Sequence, residues 1–424
     1  QEFSVIRAHG LNHVRFHSWC PPEAAFVGAD ELGIYLQVEV ASWPNQSTTL
    51  GDGKPVDAWM EAETTRILRA YGNHPSFVAL CACNEPAGPH HEAWLSAWIT
   101  RHKSADARRL YTAGAGWPEV PENDYHVRSE PRIQHWGEGL ASRINHAPPE
   151  TRTDYADYIN ERTAPVVSHE IGQWCVYPNF AEMPKYTGYL KPRNFEIFRA
   201  SLEAHGLGAQ AHDFLIASGK LQALCYKEDI ESALRTPSMG GFQLLGLSDF
   251  PGQGTALVGV LDTFWEEKGY ITPQEFRRFC NSTVPLARLG QRVFVSNEHF
   301  VADVEVSHFG AAPLAQAVTR WQLVDATGRS VADGRFAPRD IAIGAAQPLG
   351  HVDLALNAIP TPARYKFVVT IDAPPEAGSN PVAGLAEAGS DALACAPGAT
   401  TPATTTQGTT NVSNDWDIWV YPPA

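Results

Sequence analysis

Asn73-His74-Pro75-Ser76-Phe77-Val78-Ala79-Leu80-Cys81-Ala82-Cys83-Asn84-Glu85-Pro86 is an apolar run that ends abruptly on an amide, a carboxylate and a proline. It reads as an apolar strand whose end carries Asn-Glu-Pro. Ala164-Pro165-Val166-Val167-Ser168-His169-Glu170-Ile171-Gly172-Gln173-Trp174 repeats the pattern: an apolar strand ending in glutamate. In a parallel barrel the carboxyl ends of strands face the active site. Taken singly, either glutamate also reads as a surface or ion-paired residue. Together they supply the two carboxyls of glycoside hydrolysis, Glu85 and Glu170.

Working outward, the first two-thirds alternates candidate strands with helical patterns. The strands are His13–Phe16, Ile34–Val40, Phe77–Cys83, Arg109–Thr112, Asp124–Val127, Val166–His169 and Phe242–Leu247. Asp57–Tyr71 and Gly219–Arg235 carry apolar residues at helical spacing and end at turn signals. This alternation predicts a (β/α)8 TIM barrel over residues 1–282. From Arg292 onward short alternating strands separated by Thr327-Gly328 and Asp333-Gly334 predict a β-sandwich over 283–424. Residues from about 374 to 413, rich in Ala, Gly, Pro, Ser and Thr, read as a flexible low-complexity loop before a last strand at Trp416–Tyr421.

The formal net charge of −15 argues against a nucleic-acid partner. No apolar stretch has the length of a membrane helix, so no membrane partner is expected. The sequence leaves localisation open between the periplasm or exterior and the cytoplasm. Cys81 and Cys83 read as small buried hydrophobes. Twelve tryptophans and thirteen tyrosines provide apolar faces on which a sugar ring can stack, though most belong to the core.

Four stretches, in order, resemble glycoside hydrolase family 2, the β-galactosidase, β-glucuronidase and β-mannosidase family. Gly10-Leu11-Asn12-His13-Val14-Arg15-Phe16-His17, with Asp30-Glu31-Leu32-Gly33-Ile34, looks like its second strand and the approach to the third. Gly72-Asn73-His74-Pro75-Ser76 followed by Asn84-Glu85 looks like the fourth strand with the acid/base. Ser168-His169-Glu170-Ile171-Gly172 looks like the seventh with the nucleophile. Ile230–Arg235 and Gly241–Leu245 resemble the last helix and eighth strand. The resemblance implies a retaining, cofactor-free exo-β-glycosidase acting on terminal β-linked sugars of a carbohydrate substrate, most readily β-galactosidase-like. β-Glucuronidase or β-mannosidase activity and a non-catalytic carbohydrate-binding relic are the alternatives.

The chain departs from the family pattern. The jelly-roll and immunoglobulin-like N-terminal domains and the first barrel strand have no counterpart, so the sequence is expected to be part of a longer protein. A glucuronidase-type Asn-x-Lys signature is not evident; Lys191-Pro192-Arg193-Asn194 does not match it. Asp249-Phe250-Pro251-Gly252-Gln253-Gly254, with glycines suited to a tight turn, differs from well-studied β-galactosidases.

Substrate-binding candidates follow. Asn84 offers an amide to a sugar hydroxyl. Arg15 and His17 close the second strand, and the resemblance implies that they support the carboxylates and the sugar. Arg15 near Glu170 would keep the nucleophile ionised. Trp43 reads as a stacking platform or loop packing, Trp174 as a subsite wall, and Asp249 as a hydroxyl ligand. His90, beside His91 and Glu92, reads as a hydroxyl ligand rather than a metal ligand, because the His-Glu-x-x-His spacing is missing. No metal is expected. Lys227 and Glu228 are expected on a solvated helix face.

Overall fold

A computed structural model of the chain describes residues 1–135, 137–250, 256–374 and 410–423. The opening apolar run becomes β3 (Phe77–Cys81), and its neighbours follow in chain order. They are β1 (His13–Phe16), β2 (Tyr35–Glu39), β4 (Leu110–Thr112), β5 (Ala115–Gly116), β6 (His126–Arg128), β7 (Val166–Ile171) and β8 (Met239–Leu244). They form two four-stranded sheets, β1-β2-β3-β4 and β5-β6-β7-β8, in which every pairing is parallel. Only Ala113 and Gly114 separate β4 from β5, and an Asn84–Ala115 bridge links the two sheets. A side chain at Gly114 would run into the Trp117 carbonyl and the Pro86 ring, so the corner needs glycine. The result is a parallel wall in barrel order. Among the described residues no ladder joins β8 to β1, and the wall keeps two unpaired edges.

The helices are α1 (Glu2–Ala8), α2 (Glu23–Leu32), α3 (Pro55–Tyr71), α4 (His91–Ala105), α5 (Arg143–His146), α6 (Ala156–Asn160), α7 (Arg193–Ala204), α8 (Ala211–Leu234) and α9 (Pro273–Phe276). Local chemistry sets several ends. α2 stops where Gly33 turns left-handed, at φ 67°. α3 starts on Pro55, whose missing N–H is no loss at a first turn. Entry into β3 is fixed by Asp30, which accepts from Ser76 N at 2.9 Å and pairs with His74 Nδ1 at 2.7 Å. That is the physical content of the His74-Pro75-Ser76 motif. Cys81 and Cys83 are both fully buried, as the apolar reading expects.

Beyond α9 the chain is all β. The strands are β9 (Thr283–Arg288), β10 (Val293–Val295), β11 (His299–His308), β12 (Leu314–Val324), β13 (Ser330–Arg335), β14 (Arg339–Ile341), β15 (Gly344–Ala355), β16 (Ala363–Ala373) and β17 (Thr410–Tyr421). One sheet runs β10-β17-β16-β12-β13 with β14 on β12, the other β15-β11-β9. Ala302, Val304 and Val352 of the second share one core with Phe367, Ile371 and Ile418 of the first. Most of the expected low-complexity loop, 375–409, lies outside the described residues, as do Gly252 and Gly254.

α8 is longer than its periodicity suggests and joins the two parts. Glu231, fully buried, accepts from the Trp416 indole at 3.0 Å and Asn414 Nδ2 at 2.7 Å. It also pairs with Lys227 and with Arg235, the latter at 3.3 Å. Lys227 reaches Asn414 Oδ1 at 2.5 Å, and Glu228 pairs with Arg235 at 2.7 Å. The expectation that Lys227 and Glu228 are solvated is therefore wrong. Lys227–Glu231 is at ordinary i,i+4 spacing, but the groups that cover the two residues from outside the helix, Asn414 of β17 on Lys227 and Arg143 on Glu228, leave no sign in the helical pattern.

Candidate active site

Both strand-end glutamates have left-handed backbone, φ 41° at Glu85 and 50° at Glu170, where side chains are disfavoured. At Glu85 the turn is held by its own N–H on the Ala115 carbonyl, 2.9 Å. At Glu170 the β7–β8 register breaks between Ser168 and Ile171, so the ladder opens at the glutamate. Such backbone aims a side chain out of the sheet and concentrates where a site needs it.

Arg15, at the third position of β1, is the hub. Its Nε donates to Glu39 Oε1 at 2.5 Å, NH1 to Glu170 Oε1 at 2.7 Å and NH2 to Asn84 Oδ1 at 2.6 Å. Glu39, at the end of β2 and fully buried, also accepts from Ser18 N at 2.6 Å. The Asn84 amide nitrogen is buried and has no partner, leaving a donor for a ligand. Burial works to raise the Glu170 carboxyl, but the His169 ring and the Arg15 guanidinium and its hydrogen bond bring it below the ordinary glutamate range. Trp43 donates from its indole to Glu85 Oε2 at 2.6 Å and packs edge-on against His17. His17 Nε2 lies 3.9 Å from Glu170 Oε1. Oxygens of Glu85 and Glu170 and a ring nitrogen of His169 all lie within 4.8 Å of one another.

Trp174 donates to Gln134 Oε1 at 2.9 Å and lines a cavity of about 210 Å³ with Arg132, Gln134, His135, Gly172 and Gln173. The structure thus gathers Arg15, His17, Trp43, Asn84, Glu85 and Glu170, and puts Trp174, four residues past Glu170, on that cavity. It does not bring in His90 or Asp249. His90 is exposed at the start of α4, with its carbonyl and Cβ beside Gly51. Asp249 is buried and faces protein groups: Oδ2 lies 2.6 Å from Lys268 Nζ, and Oδ1 accepts from Gly259 N at 2.9 Å.

Sequence reading left His169 and Arg132 out of the site. His169 was hidden as a strand residue before the glutamate, yet it is 3% exposed and aimed into the cluster. Arg132 follows β6 and donates to the Glu170 carbonyl at 3.3 Å. Its segment is held by Asp229 of α8, whose Oδ1 accepts from Ile133 N at 3.2 Å and Tyr155 OH at 3.0 Å.

Burial pushes the Asp229 carboxyl up to about 7. The folded state therefore binds this proton more tightly than the unfolded chain. The resulting stability is full below pH ~4, where unfolded aspartate titrates, and is lost as pH rises through 7. Asp229→Asn keeps an acceptor without the charge. Relative to wild type, the variant should gain roughly 3–4 kcal/mol of stability between pH 4 and 8. Thermal melts across that range check it; parallel curves for the two proteins refute it.

Comparisons place these features among known proteins. A domain of unknown function (DUF8488) matches residues 298–380. No curated protein matches the chain. Among solved structures, the β-D-mannosidase of Dictyoglomus thermophilum has 14% identity and a TM-score of 0.55, with 88% of this chain and 45% of that one covered. A Bacteroides uniformis β-glucuronidase has 13% identity and a TM-score of 0.39, covering 100% and 43%. A β-glucuronidase from an uncultured Clostridium species has 15% identity and a TM-score of 0.44, covering 63% and 44%. The chain spans less than half the length of each. The likeness to the mannosidase carries the fold alone: a parallel sheet in barrel order with β domains.

Proposed function

We propose that the chain is the catalytic part of a retaining exo-β-glycosidase with Glu85 as general acid/base and Glu170 as nucleophile. The observation that carries this reading is the pair itself: two strand-end carboxylates with oxygens within 4.8 Å, one held by an indole and the other by a guanidinium. Retaining enzymes set their carboxyls about 5–5.5 Å apart, whereas inversion needs about 6.5–9.5 Å to admit a water. Arg15 occupies Oε1 of Glu170, and Oε2 is left to attack the anomeric carbon. Glu85 gives its proton to the glycosidic oxygen as that bond breaks. Glu85, now a carboxylate, then takes a proton from water, which displaces Glu170 from the sugar. The unpartnered Asn84 amide suits a hydroxyl of the same ring.

A terminal β-galactoside is the leading substrate, with β-glucuronides and β-mannosides as rivals. A panel of aryl β-galactoside, glucuronide, mannoside, xyloside and arabinoside ranks them. Proton NMR of the first-formed sugar tests the mechanism. The β-anomer is expected; initial release of the α-anomer would sink the retaining reading.

A further inference from the structure

His169 carries two ring nitrogens for which the glycosidase reading has no use. Its side chain is 3% exposed, and neither Nδ1 nor Nε2 has a hydrogen-bond partner. Leaving buried polar atoms unsatisfied costs about 1–3 kcal/mol, which a ligand can recover. Nε2 stands 3.5 Å from Glu170 Oε2, the oxygen that Arg15 does not occupy. A tetrahedral ion with bonds of about 2.0–2.2 Å to nitrogen and oxygen spaces its ligand atoms about 3.3–3.6 Å apart. The His169–Glu170 edge already has that length, and a Glu85 oxygen lies within 4.8 Å of both, so it must move inward by up to about 1.5 Å to close the face. Gly116 borders the same group: its Cβ position lies 3.5 Å from the His169 ring and 3.6 Å from Glu85 Cγ.

One imidazole and two carboxylates suit borderline transition ions better than magnesium or calcium, which prefer all-oxygen sites. We propose that Glu85, His169 and Glu170 bind one divalent transition-metal ion of the zinc class, and that the bound ion blocks glycoside turnover. Binding stands on the geometry alone; only the block rests on the glycosidase reading. The ion takes the lone pairs that Glu170 needs for attack and Glu85 for proton transfer, leaving its fourth position to water.

The test titrates the whole protein with Co²⁺, read by visible absorbance, and with Zn²⁺, read by calorimetry. One strong site is expected. His169→Asn and the near-isosteric Glu170→Gln should each weaken it at least about tenfold. A double His299→Ala/His351→Ala variant, which removes exposed histidines paired with Asp353 and Asp303, should leave it unchanged. Wild-type affinity in both His169→Asn and Glu170→Gln, or no Co²⁺ binding at all, overturns the proposal. Zn²⁺ should inhibit aryl-glycoside turnover at the concentrations that fill the site. Binding by a protein that turns over no glycoside would overturn the glycosidase reading and leave the metal site supported.

Discussion

Glu170→Gln is expected to lower kcat for an aryl β-glycoside by about four orders of magnitude or more, in the range seen when a covalent nucleophile is removed. The substitution is nearly isosteric, and its amide oxygen can still accept from Arg15 NH1. The fold and the positions of Glu39 and Asn84 should therefore survive, and the loss belongs to the bond that Glu170 forms. Glu170→Gly supplies a second reading. It opens a space that azide can enter from the face of the lost carboxylate, so azide should restore turnover and yield an α-glycosyl azide. Near-wild-type kcat in Glu170→Gln, on protein with unchanged circular dichroism, would remove Glu170 from the mechanism.

Arg15→Met should destabilise the chain by about 3–5 kcal/mol, because it strands a buried charge rather than deleting a surface one. Glu39 is fully buried and loses the one cationic partner it has among the described residues, while Glu170 and Asn84 lose the Arg15 donors in the same step. The effect differs in kind from an ordinary ion-pair loss, since one planar group serves three acceptors. Arg15→Lys should therefore rescue little, a point charge being unable to reach all three. Adding Glu39→Gln to Arg15→Met should recover much of the melting temperature but none of the activity. Equal recovery of both would show that Arg15 serves only the fold.

The parallel wall was legible because its strands are short apolar runs with abrupt polar ends, and the two glutamates stood at those ends. Arg15 was legible through its place at the end of β1. The partner of Asp249 was not legible: a strand-end carboxylate looks the same whether it faces a sugar or a lysine, and Lys268 lies nineteen residues on in an irregular segment. His90, five residues past Glu85 in sequence, is placed by the structure at the exposed start of α4, beside Gly51. The partners of Lys227 and Glu228 were hidden because Asn414 and Trp416 reach Lys227 from the far end of the chain and Arg143 reaches Glu228 from a separate helix. Such long-range partners leave no mark in local periodicity.

The left-handed backbone at Glu85 and Glu170 bears on how the sequence can drift. Glycine or asparagine would sit at those angles more easily than glutamate. Either replacement should relieve on the order of 1 kcal/mol while deleting the chemistry. Stability and turnover thus pull in opposite directions at these two codons. If the proposed cleavage is what holds the two glutamates there, a lineage no longer filtered for it is expected to release that backbone strain by replacing them.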